Sequence, residues 1–119
     1  MLATERDAQL PVSFLSKQKE ITYNMRTILI NWISLMHRDM KLRRETLYIA
    51  VSLIDRTLNC MKVRRKDFHL VGISSLWIAI KYEEVKLPRI RTFLDVTKSG
   101  YCRREVIAME MKILVELEF

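Results

Sequence analysis

Four charged residues stand where helical periodicity calls for apolar ones, and they carry most of the chemistry this sequence has to explain. At 100° per residue, Val106, Ile107, Ile113, Leu114 and Leu117 fall within about 60° of Glu110, which places a carboxylate in the middle of an apolar face. Lys81 ends an uncharged stretch on the same line as Leu70, Trp77 and Ile78. Arg26 and Asp55 lie at the edges of two further apolar stripes. An isolated charge in such surroundings is costly, so each of the four must be paired or must reach a surface that a partner covers. Their formal charges sum to zero, and the expected division is one internal clamp and one binding surface. The bland alternative is that the long side chains snorkel to water and the pairs are incidental.

Catalysis has no comparable foothold. There is no Gly-rich phosphate loop, no His-Glu-x-x-His and no Gly-x-Ser-x-Gly, and the two histidines, His37 and His69, fall on different elements. Cys60 and Cys102 are too sparse for a zinc cage or a disulfide framework and read as reduced and structural. No catalytic residue, metal or cofactor is expected.

The elements that must position the four charges are helices almost throughout, because apolar residues recur at spacings of three and four. The first is expected from about Thr22, a candidate N-cap, to Lys41, with Met25, Ile28, Leu29, Trp32, Ile33, Met36 and Met40 in one wide stripe. The second runs from about Glu45 to Met61 and turns Leu47, Ala50, Val51, Ile54 and Leu58 inward, making a hairpin with the first across Leu42-Arg43-Arg44. From Leu70 to Ile80 no residue is charged, so the third helix belongs in the centre of the bundle, where Gly72, Ser74 and Ser75 let neighbours come close. Pro88 suits the first turn of a short helix over about Arg89 to Val96, and 97–100 read as a loop. A fifth helix starts near Arg103 with Cys102 at its N-cap. The prediction is a single all-α domain over 21–119, preceded by a partly helical or loose segment, 1–20.

Composition agrees with one helical domain. The chain has 119 residues, 50% of them hydrophobic, with only 2 Gly and 2 Pro, which disfavours turn-rich β-sandwiches. No apolar run is long enough to span a membrane, and the N-terminus carries charges where a signal peptide needs an apolar core, so an intracellular protein is expected. The net charge is +7. It concentrates in 41–66, with eight basic against two acidic residues, and in 86–104, with six against one. The densest run, Lys62-Val63-Arg64-Arg65-Lys66, could meet phosphates or an acidic partner, although no aromatic residues for base stacking are interleaved there and a solvated loop explains it as well.

Several of these stretches resemble, in register, the N-terminal box of a cyclin of the mitotic A/B kind. Met25-Arg26-Thr27-Ile28-Leu29 with Trp32 resembles the first-helix motif. Glu45-Thr46-Leu47-Tyr48 and Ile54-Asp55-Arg56-Thr57-Leu58 resemble the second, Leu70-Val71-Gly72 and Ala79-Ile80-Lys81-Tyr82-Glu83-Glu84 the third, and Met109-Glu110 the fifth. The resemblance covers about 25–119 and implies a five-helix fold around a central third helix. It further implies a regulatory subunit of a cyclin-dependent protein kinase, in the nucleus or cytoplasm, that catalyses nothing itself. Arg26 would pair with Asp55 beside Leu70 as an internal clamp. Lys81 and Glu110 would face outward to the kinase, flanked by Ile78, Tyr82, Leu114 and Phe119. Such a surface would hold the kinase's regulatory helix where its glutamate pairs with the ATP-orienting lysine.

The resemblance also implies a groove for substrate or inhibitor docking peptides, floored by Met25, Ile28, Leu29 and Trp32 and rimmed by Phe68 and His69. Here it departs from the family: Leu35 replaces an acidic residue that receives a basic peptide side chain, Phe68 replaces a leucine and His69 a glutamine. Most cyclins continue into a second repeat, so an excised box or an unusually small cyclin is expected. A cyclin-like transcription-factor module binding nucleic acid is the alternative reading of the same fold and charge.

Overall fold

The computed structural model describes residues 20–98 and 100–117 and contains, among them, five helices and no strand. They are α1 (Tyr23–Asp39), α2 (Arg44–Cys60), α3 (Arg65–Glu83), α4 (Ile90–Thr97) and α5 (Arg103–Glu116). Phe119 and all but the last residue of the 1–20 segment lie outside the described residues.

Helix α3 is the axis of the bundle and packs against α2, α5 and α1. Every residue from Leu70 to Trp77 is buried, because each side of the helix meets a neighbour. The closest approach is at Gly72, where a methyl group would lie 2.6 Å from Leu29 Cδ1, so any larger residue would displace Leu29 from a packed site. Ser74 is small enough to sit against α5 and directs its hydroxyl at the Val106 carbonyl, 3.4 Å away. Trp77 packs on Phe93 of α4 with ring centroids 4.9 Å apart, which fixes the short helix against the long one.

The helix boundaries follow local chemistry with three adjustments. Thr22 caps α1, its hydroxyl accepting the Met25 N–H at 3.2 Å. Cys102 is the N-cap of α5, and Glu105 three residues on accepts the Cys102 N–H at 3.0 Å, as in a capping box. Helix α3 starts five residues before the apolar stretch, since its first turn is amphipathic and buries Phe68. Pro88 stands just outside α4, whose N-cap is Arg89, and Thr97 ends that helix instead of opening the loop, its hydroxyl donating to the Leu94 carbonyl.

Three helices begin at arginines that cannot cap them, and at two of these a remote carboxylate takes over. Arg43 and Arg64 offer no acceptor to the first-turn amides of α2 and α3, and remote carboxylates replace them. Glu84, just past the end of α3, accepts the Arg43 N–H at 2.7 Å and the Thr46 hydroxyl at 2.5 Å. Glu20 accepts the Arg65 N–H at 3.0 Å. Each carboxylate also lies at the positive end of a helix dipole. The acidic pair after Lys81 is therefore largely consumed inside the fold, as Glu83 lies 3.5 Å from Arg43.

Candidate functional site

Arg26 and Asp55 join α1 to α2 through a side-on pair, Nε to Oδ1 at 2.7 Å and Nη2 to Oδ2 at 2.8 Å. Their side chains are only 9% and 10% exposed, so neither charge has an alternative partner in water. Leu70 is buried on α3. This geometry holds the first helix in register with the second.

Lys81 and Glu110 behave differently from the expectation that both face outward. They form an ion pair with each other across α3 and α5, Lys81 being 41% exposed and Glu110 only 8%. The outward, solvated setting expected for Glu110 is thus corrected: the helical wheel placed it on the packed face, and Lys81 reaches over from α3 to neutralise it. The Lys81 ammonium also lies 5.8 Å from the centre of the Trp77 ring.

Two hollows flank this pair. One, of about 440 Å³, is formed by Trp77, Leu87, Pro88, Ile107 and Met111 together with Lys81 and Glu110 themselves. The other, about 590 Å³ and predominantly apolar, brings together Ile78 and Tyr82 of α3 with Leu114 of α5. Its far wall comes from α2, from Tyr48, Ile49, Ser52, Leu53 and Arg56. Tyr82 is 79% exposed at its edge. The α2 wall and the Ile107–Met111 edge are absent from the sequence-based site. Ile107 and Met111 carry a signal, an i,i+4 apolar pair left exposed on α5. Tyr48 carries none until α2 is docked.

A third hollow of about 300 Å³ lies between α1 and the first turns of α3. It collects Met25, Ile28, Leu29, Trp32, Phe68 and His69, and adds Arg65 from the basic run 62–66, which the sequence-based groove does not include. Ile28 is 61% exposed although it belongs to the apolar stripe of α1. His69 sits between Trp32, 4.7 Å away centre to centre, and Tyr101, 6.2 Å away. Burial lowers the His69 pKa from its ordinary value, because the enclosed ring disfavours the charged form. The Tyr101 hydroxyl is shifted upward by burial and by the nearby Asp67 and Glu105 carboxylates. Among the described residues no group of His, Cys, Asp and Glu is arranged to hold a metal ion, and no helix is long and apolar enough to cross a membrane.

The sequence matches the family described as "Cyclin, N-terminal domain" over residues 1–119. The chain belongs to the cyclin family. Among its relatives, human (Homo sapiens) cyclin-A1 is 42% identical over 106 residues, covering 89% of this chain and 23% of that protein. Cyclin-B1-1 of rice (Oryza sativa subsp. japonica) is 39% identical over 109 residues, covering 92% and 24%. The cyclin thus spans about a quarter of the length of the curated relatives it matches. A solved viral cyclin from herpesvirus saimiri superposes with a TM-score of 0.83 at 26% identity, over 97% of this chain and 51% of that one. Both the all-α architecture and the mitotic A/B character of the sequence motifs are therefore found, and the nucleic-acid alternative is not favoured.

Proposed function

We propose that this cyclin domain is a regulatory subunit, itself not an enzyme, that binds a cyclin-dependent protein kinase inside the cell, in the nucleus or cytoplasm. It would activate the kinase by packing on its regulatory helix. The observation that carries this reading is the α2–α3–α5 hollow, where Tyr82 stands exposed beside Ile78 and Leu114 with the Lys81–Glu110 pair one helical turn away. An aromatic anchor over an apolar hollow, next to a charged pair able to receive backbone groups, suits a helix laid across α3 and α5. Covering the kinase helix on this side would hold its glutamate toward the ATP-orienting lysine.

The test is Tyr82→Ala. Because the side chain is mostly in water, the stability of the free domain should change by no more than about 0.5 kcal/mol, while kinase affinity should fall roughly tenfold or more. Pull-down with candidate kinases followed by a histone phosphorylation assay reads both binding and activation. Unchanged binding by the variant would dismiss this face as the kinase site. A second role, docking of substrate or inhibitor peptides, belongs in our proposal to the α1–α3 groove, which is apolar and open and lies on other helix faces than the hollow around Tyr82.

A further inference from the structure

We infer that the α1–α3 groove takes an acidic, apolar segment of a partner protein, with Arg65 receiving an Asp or Glu side chain while Met25, Ile28, Leu29, Trp32 and Phe68 receive apolar ones. This rests on the docking role proposed above and specifies the chemistry of its occupant.

Three observations carry it. The lining holds one charged side chain, Arg65, and no carboxylate. Arg65 is exposed and, among the described residues, its guanidinium has no carboxylate partner, whereas neighbouring Arg64 is bound to Asp67 at 3.2 Å. Glu20 is near Arg65 but is engaged by the Arg65 backbone N–H. On the opposite wall, α1 has no acidic residue before Asp39, its last residue, and Leu35 stands exposed one turn before that end. No described carboxylate lines the groove to receive a basic side chain. His69 does not alter the balance near neutral pH, since its enclosed ring resists protonation.

Around the groove the net charge is positive, four basic residues against two acidic ones. Lys62, Arg64, Arg65 and Lys66 crowd the start of α3 against Glu20 and Asp67. A basic peptide would approach against this field and find no acceptor. An acidic one would be steered in and could meet Arg65 in a two-point carboxylate contact, while burying apolar side chains against Trp32 and Ile28.

The experiment uses the full chain and two fluorescent peptides identical except at one position between two leucines, Glu in one and Arg in the other. Fluorescence anisotropy at low salt should show the Glu peptide binding about tenfold or more tightly, with the gap narrowing as salt is raised. Arg65→Ala should bring the two peptides to parity and Arg65→Glu should reverse the order. Arg65→Lys should keep the original order, which separates loss of charge from loss of fold. Equal or tighter binding of the Arg peptide by the native chain overturns the inference, and so does an absence of saturable binding by both peptides. Kinase binding, measured on the same Arg65→Glu preparation, should be unchanged. A chain that discriminates the peptides without binding a kinase would refute the kinase reading and leave the groove's preference standing.

Discussion

Replacing each member of the Lys81–Glu110 pair by a neutral residue of similar shape should give unequal losses of stability, because the two partners differ in their access to water. Glu110 is 8% exposed and Lys81 41%. In Lys81→Met the aliphatic stem is kept but the buried carboxylate loses its cation, and water cannot reach it. Breaking a fully buried pair costs about 3–5 kcal/mol. Half of this pair is already solvated, so roughly 2–3 kcal/mol is expected here, scaled down from that range. In Glu110→Gln the ammonium left behind can turn to solvent, and the new amide retains the shape and a hydrogen-bonding oxygen, so the loss should stay under about 1 kcal/mol. For a domain of this size about 4 °C of melting temperature corresponds to each kcal/mol. Thermal melting followed by circular dichroism should therefore place Lys81→Met roughly 8–12 °C below the native chain and Glu110→Gln within about 4 °C of it. The double variant should recover much of the loss caused by Lys81→Met, since no buried charge remains. If Glu110→Gln melts lower than Lys81→Met, Glu110 is held by something other than Lys81 and the burial argument is wrong.

Arg26→Ala should destabilise the domain by about 3–5 kcal/mol, as it strands Asp55 without its side-on partner; a melting temperature within two degrees of the native value would show the pair to be solvated. Glu84→Ala should cost about 1–2 kcal/mol by removing the acceptor for the Arg43 amide and orphaning the fully buried Thr46 hydroxyl. Hydrogen exchange should quicken first at the Arg43 amide, and unaltered protection there would rule out the cross-helix cap. For His69 the folded pKa lies below its unfolded value, so its contribution is fully present above about pH 6.5 and is lost as pH falls through the lowered value. Urea unfolding at about pH 7.5 and 5.5 should show lower stability at the acid end, and His69→Gln should flatten that part of the slope; an identical slope in the variant would assign the acid loss to other groups.

Helix content was legible in the chain because side-chain spacing is a local property. The spacings of three and four place α1, α2 and α5 within a few residues, and Thr22 and Cys102 mark two starts by their position before apolar runs. The uncharged stretch Leu70–Ile80 identified the central helix, since only a helix with neighbours on all sides can leave no face polar. The same reasoning singled out Arg26, Asp55, Lys81 and Glu110 as charges that had to be answered.

What answers each charge was decided by tertiary packing. Periodicity locates a side chain on its own helix but says nothing of which other helix comes within 3 Å of it. Hence Glu110, read as facing a partner, turns out to be neutralised by Lys81. The cross-helix caps escaped for the same reason: Glu84 and Glu20 are 41 and 45 residues from the amides they receive. Arg65 entered the groove only once α3 was found to begin at that residue and to lie along α1. Local sequence fixes how each helix is patterned through backbone geometry and apolar spacing. Which patterns meet, and therefore which charges are spent inside the fold and which surfaces remain open, depends on long-range packing that no single segment encodes.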